Sequence, residues 1–113
     1  MSELIGRVID QYRVEAMLGD GGMGTVYRAY DLNLERPVAL KIMHPHYARR
    51  PEFRARLRQE AKTLASLDHP SIVRVLDYGE DGEVAYVAME HISGGNRRRW
   101  ARRLPPLMCS MAT

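Results

Sequence analysis

Residues 18–29 read Leu-Gly-Asp-Gly-Gly-Met-Gly-Thr-Val-Tyr-Arg-Ala, and this stretch decides the fold. It contains the pattern Gly-x-Gly-x-x-Gly, whose glycines permit positive φ angles and let backbone N–H groups approach phosphate oxygens without a Cβ in the way. The pattern alone fits equally well a glycine-rich hairpin turn that binds nothing. The sequence on either side of the glycines therefore has to decide between the two interpretations.

The segments that flank the glycines have the composition of β-strands. Residues 12–18 are rich in β-forming residues, and residues 25–30 alternate Val26 and Tyr27 with small or polar neighbours. We therefore predict a β-hairpin with a glycine-rich turn. A dinucleotide-binding fold needs a helix directly after the glycines and a P-loop needs Gly-Lys-Ser/Thr, so both are excluded.

The chain up to residue 90 predicts three further strands and one helix. Residues 36–43 alternate as a strand, a loop bracketed by Pro45 and Pro51 follows, and apolar residues recur at helical spacing from Glu52 onward. Two β-rich runs, 72–78 and 84–90, are separated by a turn and predict a second hairpin. The resulting fold class is α+β, with one helix on one side of a five-stranded, mostly antiparallel sheet.

Two charged residues occupy positions on otherwise apolar faces. Lys41 shares its strand face with Ala39, and Glu60 lies between Leu57 and Leu64 on the apolar side of the helix. Each has an ordinary explanation, because a lysine can extend to water and a glutamate can lie half-exposed at the rim of a helix. Burying either charge alone is costly, so we predict that Lys41 and Glu60 form an ion pair between sheet and helix.

Together these features resemble the bacterial serine/threonine protein kinases of the eukaryotic-like type. The resemblance covers residues 12–96, the N-terminal lobe of such a kinase, and implies the α+β fold predicted above. It is carried by residues 18–29, Asp31 with 36–41, Glu60 in its helix, and residues 69–73. It implies that ATP is the ligand, and that Lys41 holds the α- and β-phosphates while Glu60 is its partner on helix αC.

The same resemblance implies the remaining residues of the ATP site. The glycine-rich loop would cover the phosphates, apolar side chains would enclose adenine, and backbone groups from Glu90 to Ile92 would bond its edge. For each apolar member taken singly, ordinary core packing is the alternative. The implied cofactor-binding residues are Leu18, Gly19, Gly21, Gly22, Gly24, Val26, Ala39, Lys41, Met89, Glu90 and Ile92.

The sequence lacks the other half of a kinase site. It contains no His-Arg-Asp, no Asp-Phe-Gly to hold magnesium and no Ala-Pro-Glu. We expect these 113 residues alone to bind ATP weakly at best and to transfer no phosphate. The alternatives are a non-enzymatic interaction or regulatory module and a non-functional truncated product. An exposed apolar face predicts association with a kinase C-lobe or with another N-lobe.

Composition excludes several other classes of protein. Five of the 17 basic residues lie in residues 97–113, where no acid occurs, so the positive net charge is confined to this tail and we expect no nucleic-acid partner. The longest apolar run, 84–89, is too short for a membrane span, and the N-terminus lacks the features of a signal peptide, which favours the cytoplasm. The single cysteine, Cys109, forms no intramolecular disulfide, and no metal site is predicted.

We divide the chain into an N-terminal lead (1–11), the incomplete kinase lobe (12–96) and a basic tail (97–113). The tail, which we expect to be disordered or aberrant, begins where the composition changes abruptly. We hypothesise that it is encoded by a shifted or disrupted reading frame. A divergent but intended terminus is the alternative.

Overall fold

The computed structural model describes residues 2–20, 24–66 and 74–91. A 3-10 helix spans Ser2–Leu4. The strands are β1 (Val8–Ile9), β2 (Tyr12–Asp20), β3 (Gly24–Asp31), β4 (Arg36–Met43), β5 (Val75–Asp81) and β6 (Val84–Glu90), and the helices are α1 (Pro45–Ala48) and α2 (Pro51–Ala65). None of the helices within those ranges is long and apolar enough to cross a membrane.

The six strands form one antiparallel sheet in the order β1-β2-β3-β4-β6-β5. The predicted α+β fold is therefore confirmed, whereas the predicted number of five strands is wrong. The additional strand, β1, pairs Val8 with Arg13 and Ile9 with Tyr12. Two residues are too few to show an alternation in the sequence, so β1 could not be recognised from its pattern.

The loop predicted between Pro45 and Pro51 is also wrong, because each proline begins a helix. Proline suits the first helical position, since its fixed φ is helical and the N–H that it lacks would have no partner there. The Arg54 guanidinium donates to the Ala48 carbonyl oxygen at 2.7 Å and so ties α2 to the end of α1.

One face of the sheet packs against the helices and forms an apolar cluster with them, the helix-side cluster. Leu57 and Ala61 are the buried residues of α2, and Phe53 and Leu64 are packed against the same cluster. Helix α2 packs principally against β5 and α1. The sheet residues of this cluster are Val26, Ala39, Met43, Val75, Ala85, Val87 and Met89.

The other face forms a second apolar cluster, enclosed because the sheet curls. The Asp10 backbone N–H, just after β1, donates to the Asp81 carboxylate at the end of β5, at 2.9 Å. These residues belong to opposite edges of the sheet, so the bond brings the two edges together. The Tyr86 hydroxyl donates to the Asp10 carboxylate from inside the curl. Burial first, and then this bond and its carboxylate charge, raise the pKa of Tyr86 well above the usual value for a phenol.

The turn between β5 and β6 is tighter than the sequence indicated. We predicted a turn over residues 79–83, but β5 continues to Asp81 and only Gly82 and Glu83 form the turn. Gly82 has a φ of 62°, which a two-residue hairpin turn favours. Gly79 lies within β5, and a glycine fits there because the Tyr86 ring occupies the space where a side chain would be.

Candidate nucleotide-binding site

The glycine-rich segment connects two antiparallel strands, as predicted. Asp20, the last residue of β2, pairs with Thr25 near the start of β3. The chain after Gly24 continues as a strand to Asp31 and not as a helix. Gly21 and Gly22 lie outside the described residues.

Gly24 marks a very close approach between β3 and β4. A Cβ atom added there would lie 2.5 Å from the Ile42 carbonyl oxygen and 3.2 Å from Cε of Lys41. No real side chain tolerates the first of these distances, so only glycine fits this position without a backbone shift. The second distance shows that the far end of the Lys41 side chain passes beside Gly24. The structure thus brings the predicted phosphate-binding lysine to the predicted phosphate-binding turn.

Lys41 is fully buried in the middle of the sheet. It is paired in register with Val26 of β3 on one side and Val87 of β6 on the other, and its exposed fraction is 0%. Because lysine is almost never fully buried without a functional or electrostatic reason, the environment of its ammonium group is unusual. The flanking Ala39 belongs to the helix-side cluster, which agrees with the predicted face.

The predicted ion pair between Lys41 and Glu60 stays a prediction. Helix α2 packs principally on β5, and β6 lies between β5 and β4 in the sheet. Glu60 is half-buried and retains contact with solvent.

The residues predicted to enclose adenine are brought together. Val26, Ala39 and Met89 belong to the helix-side cluster, with the half-buried Leu18 packed against it. Ala39 is paired in register with Met89, so their side chains lie on the same face of neighbouring strands. This arrangement gives one continuous apolar surface that begins at Leu18, next to Gly19.

The predicted hinge is described only in part. The Glu90 backbone N–H donates to the Arg74 carbonyl oxygen at 3.0 Å, and the Glu90 carboxylate accepts from the Arg74 N–H at 3.1 Å. The Glu90 N–H is therefore already used within the sheet and is not available to the edge of a purine. Ile92 lies outside the described residues.

A cluster of three polar side chains beside the turn was not predicted from the sequence. Asp20, Thr25 and His44 lie within hydrogen-bonding distance of one another. His44 is half-buried against the end of the β2–β3 hairpin. The one sign of this cluster was a polar residue, Thr25, at a position of β3 where both neighbours are buried.

These features place a buried cation beside the last glycine of the glycine-rich segment, and an apolar cluster lies next to them. They do not provide a magnesium site, because within residues 2–20, 24–66 and 74–91 no group of three or more His, Cys, Asp or Glu could hold a metal ion.

Comparison with known proteins gives a consistent result. The family described as the protein kinase domain matches residues 12–108. The serine/threonine-protein kinase PrkC of Bacillus subtilis is 41% identical over 105 residues, which are 92% of this chain and 16% of that protein. The serine/threonine-protein kinase PknL of Mycobacterium tuberculosis is 44% identical over 88 residues, which are 78% of this chain and 22% of that protein. The chain thus spans less than a quarter of the length of these relatives.

A solved structure shares the fold. The crystal structure of the Mycobacterium tuberculosis PknI kinase domain superimposes with a TM-score of 0.66 and 36% sequence identity. The match covers 77% of this chain and 35% of that chain.

Proposed function

The chain belongs to the protein kinase domain family, and from this premise we propose that its glycine-rich turn and Lys41 bind the phosphate groups of ATP. The observation that carries the proposal is the position of Lys41, which is fully buried and has its Cε beside Gly24. A buried ammonium group beside a glycine-rich segment is suited to bind an anion, because its hydrogen bonds to phosphate oxygens are charge-assisted.

The remaining roles follow from the same arrangement. The surface of Leu18, Val26, Ala39 and Met89 would exclude water from adenine, and the Glu90 carbonyl would accept a hydrogen bond from its amino group. Bound ATP would supply the phosphoryl group for transfer. In the whole protein we propose transfer to serine or threonine of a protein substrate, with a C-lobe completing the site. The 113 residues alone would bind ATP weakly, since they supply one wall of the cleft and no magnesium ligands.

The chain offers a matched test, because Lys41 and Lys62 are its only lysines. Lys62 is exposed near the end of α2. We expect Lys41→Met to weaken ATP binding at least about tenfold, since a lost charge-assisted hydrogen bond is worth more than a factor of ten. Lys62→Met should stay within about twofold of the unmodified chain, because an exposed charge contributes little.

Binding is measured by titrating ATP and following the backbone amide signals, with the spectrum recorded without nucleotide as the control for folding. Equal affinities for both lysine variants would refute the role of Lys41. Inactivity is tested separately, by assaying phosphate transfer from ATP to a protein substrate. Transfer by contaminant-free chain that disappears in Lys41→Met and persists in Lys62→Met would show that these residues suffice for catalysis.

A further inference from the structure

Three polar side chains from three separate segments meet at the base of the glycine-rich turn. The Thr25 hydroxyl donates to Oδ1 of Asp20 at 2.6 Å. Nε2 of His44 lies 3.1 Å from the same carboxylate oxygen and 3.2 Å from the Thr25 hydroxyl oxygen. Asp20 ends β2, Thr25 follows Gly24 in β3, and His44 comes directly after β4.

The donors and acceptors of this cluster are matched. A carboxylate only accepts, and the single hydroxyl proton of Thr25 is used in the short bond to Asp20. Nε2 of His44 therefore carries a hydrogen and donates to the two oxygens that face it. Thr25 is fully buried, so the hydroxyl would be costly to leave without these bonds.

The cluster adds a connection that the sheet itself does not provide. Backbone hydrogen bonds join β3 to β2 and to β4, whereas β2 and β4 are not neighbours. The contact between Asp20 and His44 spans β3 and fixes the end of β2 relative to the end of β4. Lys41 lies three residues before His44, and its Cε is beside Gly24, so β4 and the residue after it contribute both the lysine and the histidine near this glycine.

We propose that Asp20, Thr25 and His44 are positioning residues that hold Gly24, at the end of the glycine-rich segment, beside Lys41 and so set the affinity for nucleotide phosphates. This inference rests on the proposed function. Phosphate binding by backbone N–H groups depends on their distance from the lysine, and a small displacement of Gly24 changes both contacts together.

The test compares substitutions that remove or keep the hydroxyl at one buried site. Thr25→Val is nearly isosteric and lacks the hydroxyl, whereas Thr25→Ser retains it. We expect Thr25→Val to weaken ATP binding about three- to tenfold, the effect of one lost buried hydrogen bond, and Thr25→Ser to stay within about twofold. Thr63→Val is the control, because Thr63 is exposed on α2 and its hydroxyl donates to the Gln59 carbonyl oxygen of the same helix.

A second pair of variants tests the histidine. His44→Ala removes the donor and should weaken binding to a similar extent, whereas His44→Gln supplies an amide N–H and should restore part of the affinity. His46→Ala is the control, since His46 is exposed two residues further along. Rescue by glutamine and serine is not expected of residues that only fill space.

Amide hydrogen exchange at Gly24 and Thr25, measured without nucleotide, separates this inference from the proposed function. We expect Thr25→Val and His44→Ala to accelerate exchange at both amides, and Thr25→Ser to leave it near the unmodified rate. If the unmodified chain fails to bind ATP, the proposed function is refuted while the exchange rates still test the positioning. If Thr25→Val and His44→Ala match the unmodified chain in exchange and in affinity, the cluster does not position the turn.

Discussion

Replacing Gly24 by alanine should destabilise the fold, because β3 and β4 are too close there for a side chain. The added Cβ would lie 2.5 Å from the Ile42 carbonyl oxygen and 3.2 Å from its carbonyl carbon. Both atoms belong to the backbone of β4, so no rotation of a flexible side chain relieves the clash. The strands must separate locally, at the point where Gly24 pairs with Met43.

The expected loss of stability is the difference between two effects. Overpacking of this kind costs about 1–3 kcal/mol. Alanine returns about 0.5–1 kcal/mol, because it restricts the unfolded chain more than glycine does. The net loss is about 0–2.5 kcal/mol, and its midpoint of about 1 kcal/mol lowers the melting temperature of a domain of this size by about 4–8 °C.

Gly19 provides the control in the same hairpin. A Cβ added to Gly19 would meet nothing within 4 Å, and its φ lies outside the left-handed region. Gly19→Ala should therefore stabilise the chain by about 0.4–1 kcal/mol. Both variants are measured by urea unfolding followed by circular dichroism. If the two alanines change the free energy of unfolding in the same direction, the close approach of β3 to Ile42 is refuted.

Two further predictions concern the two faces of the sheet and helix α2. Burial first, and then the nearby charge of Asp77 for Tyr12 and of Glu80 for Tyr78, raise the pKa of each phenol from 10.0 to about 12. The stabilisation from the protonated phenols is thus complete below pH 10 and is lost as the pH rises towards 12. The free energy of unfolding measured in urea should therefore fall across that range, and it should fall less steeply in Tyr12→Phe. A flat profile would contradict the burial of these phenols. Leu57→Ala should cost about 2–5 kcal/mol, because Leu57 is a buried residue of α2. Leu34→Ala is the control and should change stability by less than about 0.5 kcal/mol, because Leu34 is 64% exposed. Equal effects of the two variants in thermal unfolding would show that α2 is not packed on the sheet.

The strands that alternate clearly were predictable with their bounds. Residues 36–43 and 84–90 form β4 and β6 as predicted, because alternation is a local property that directly determines which side chains are buried. The end of β5 was not predictable. Gly79 resembled a turn residue, yet it lies in the strand because a tyrosine from β6 fills the space beside it. That contact depends on the pairing of the strands and leaves no trace in the local sequence.

The sequence determines the burial of Lys41 more directly than it determines the predicted pairing of Lys41 with Glu60. The face on which Lys41 lies follows from its position in β4, whereas a contact between sheet and helix depends on where the helix is placed across the sheet. Helix α2 is held on the β5 side by its bond to Ala48 and by the packing of Leu57 and Ala61. The argument for the pair also required both charges to be buried. Since Glu60 keeps contact with solvent, burial alone does not require that its carboxylate be paired.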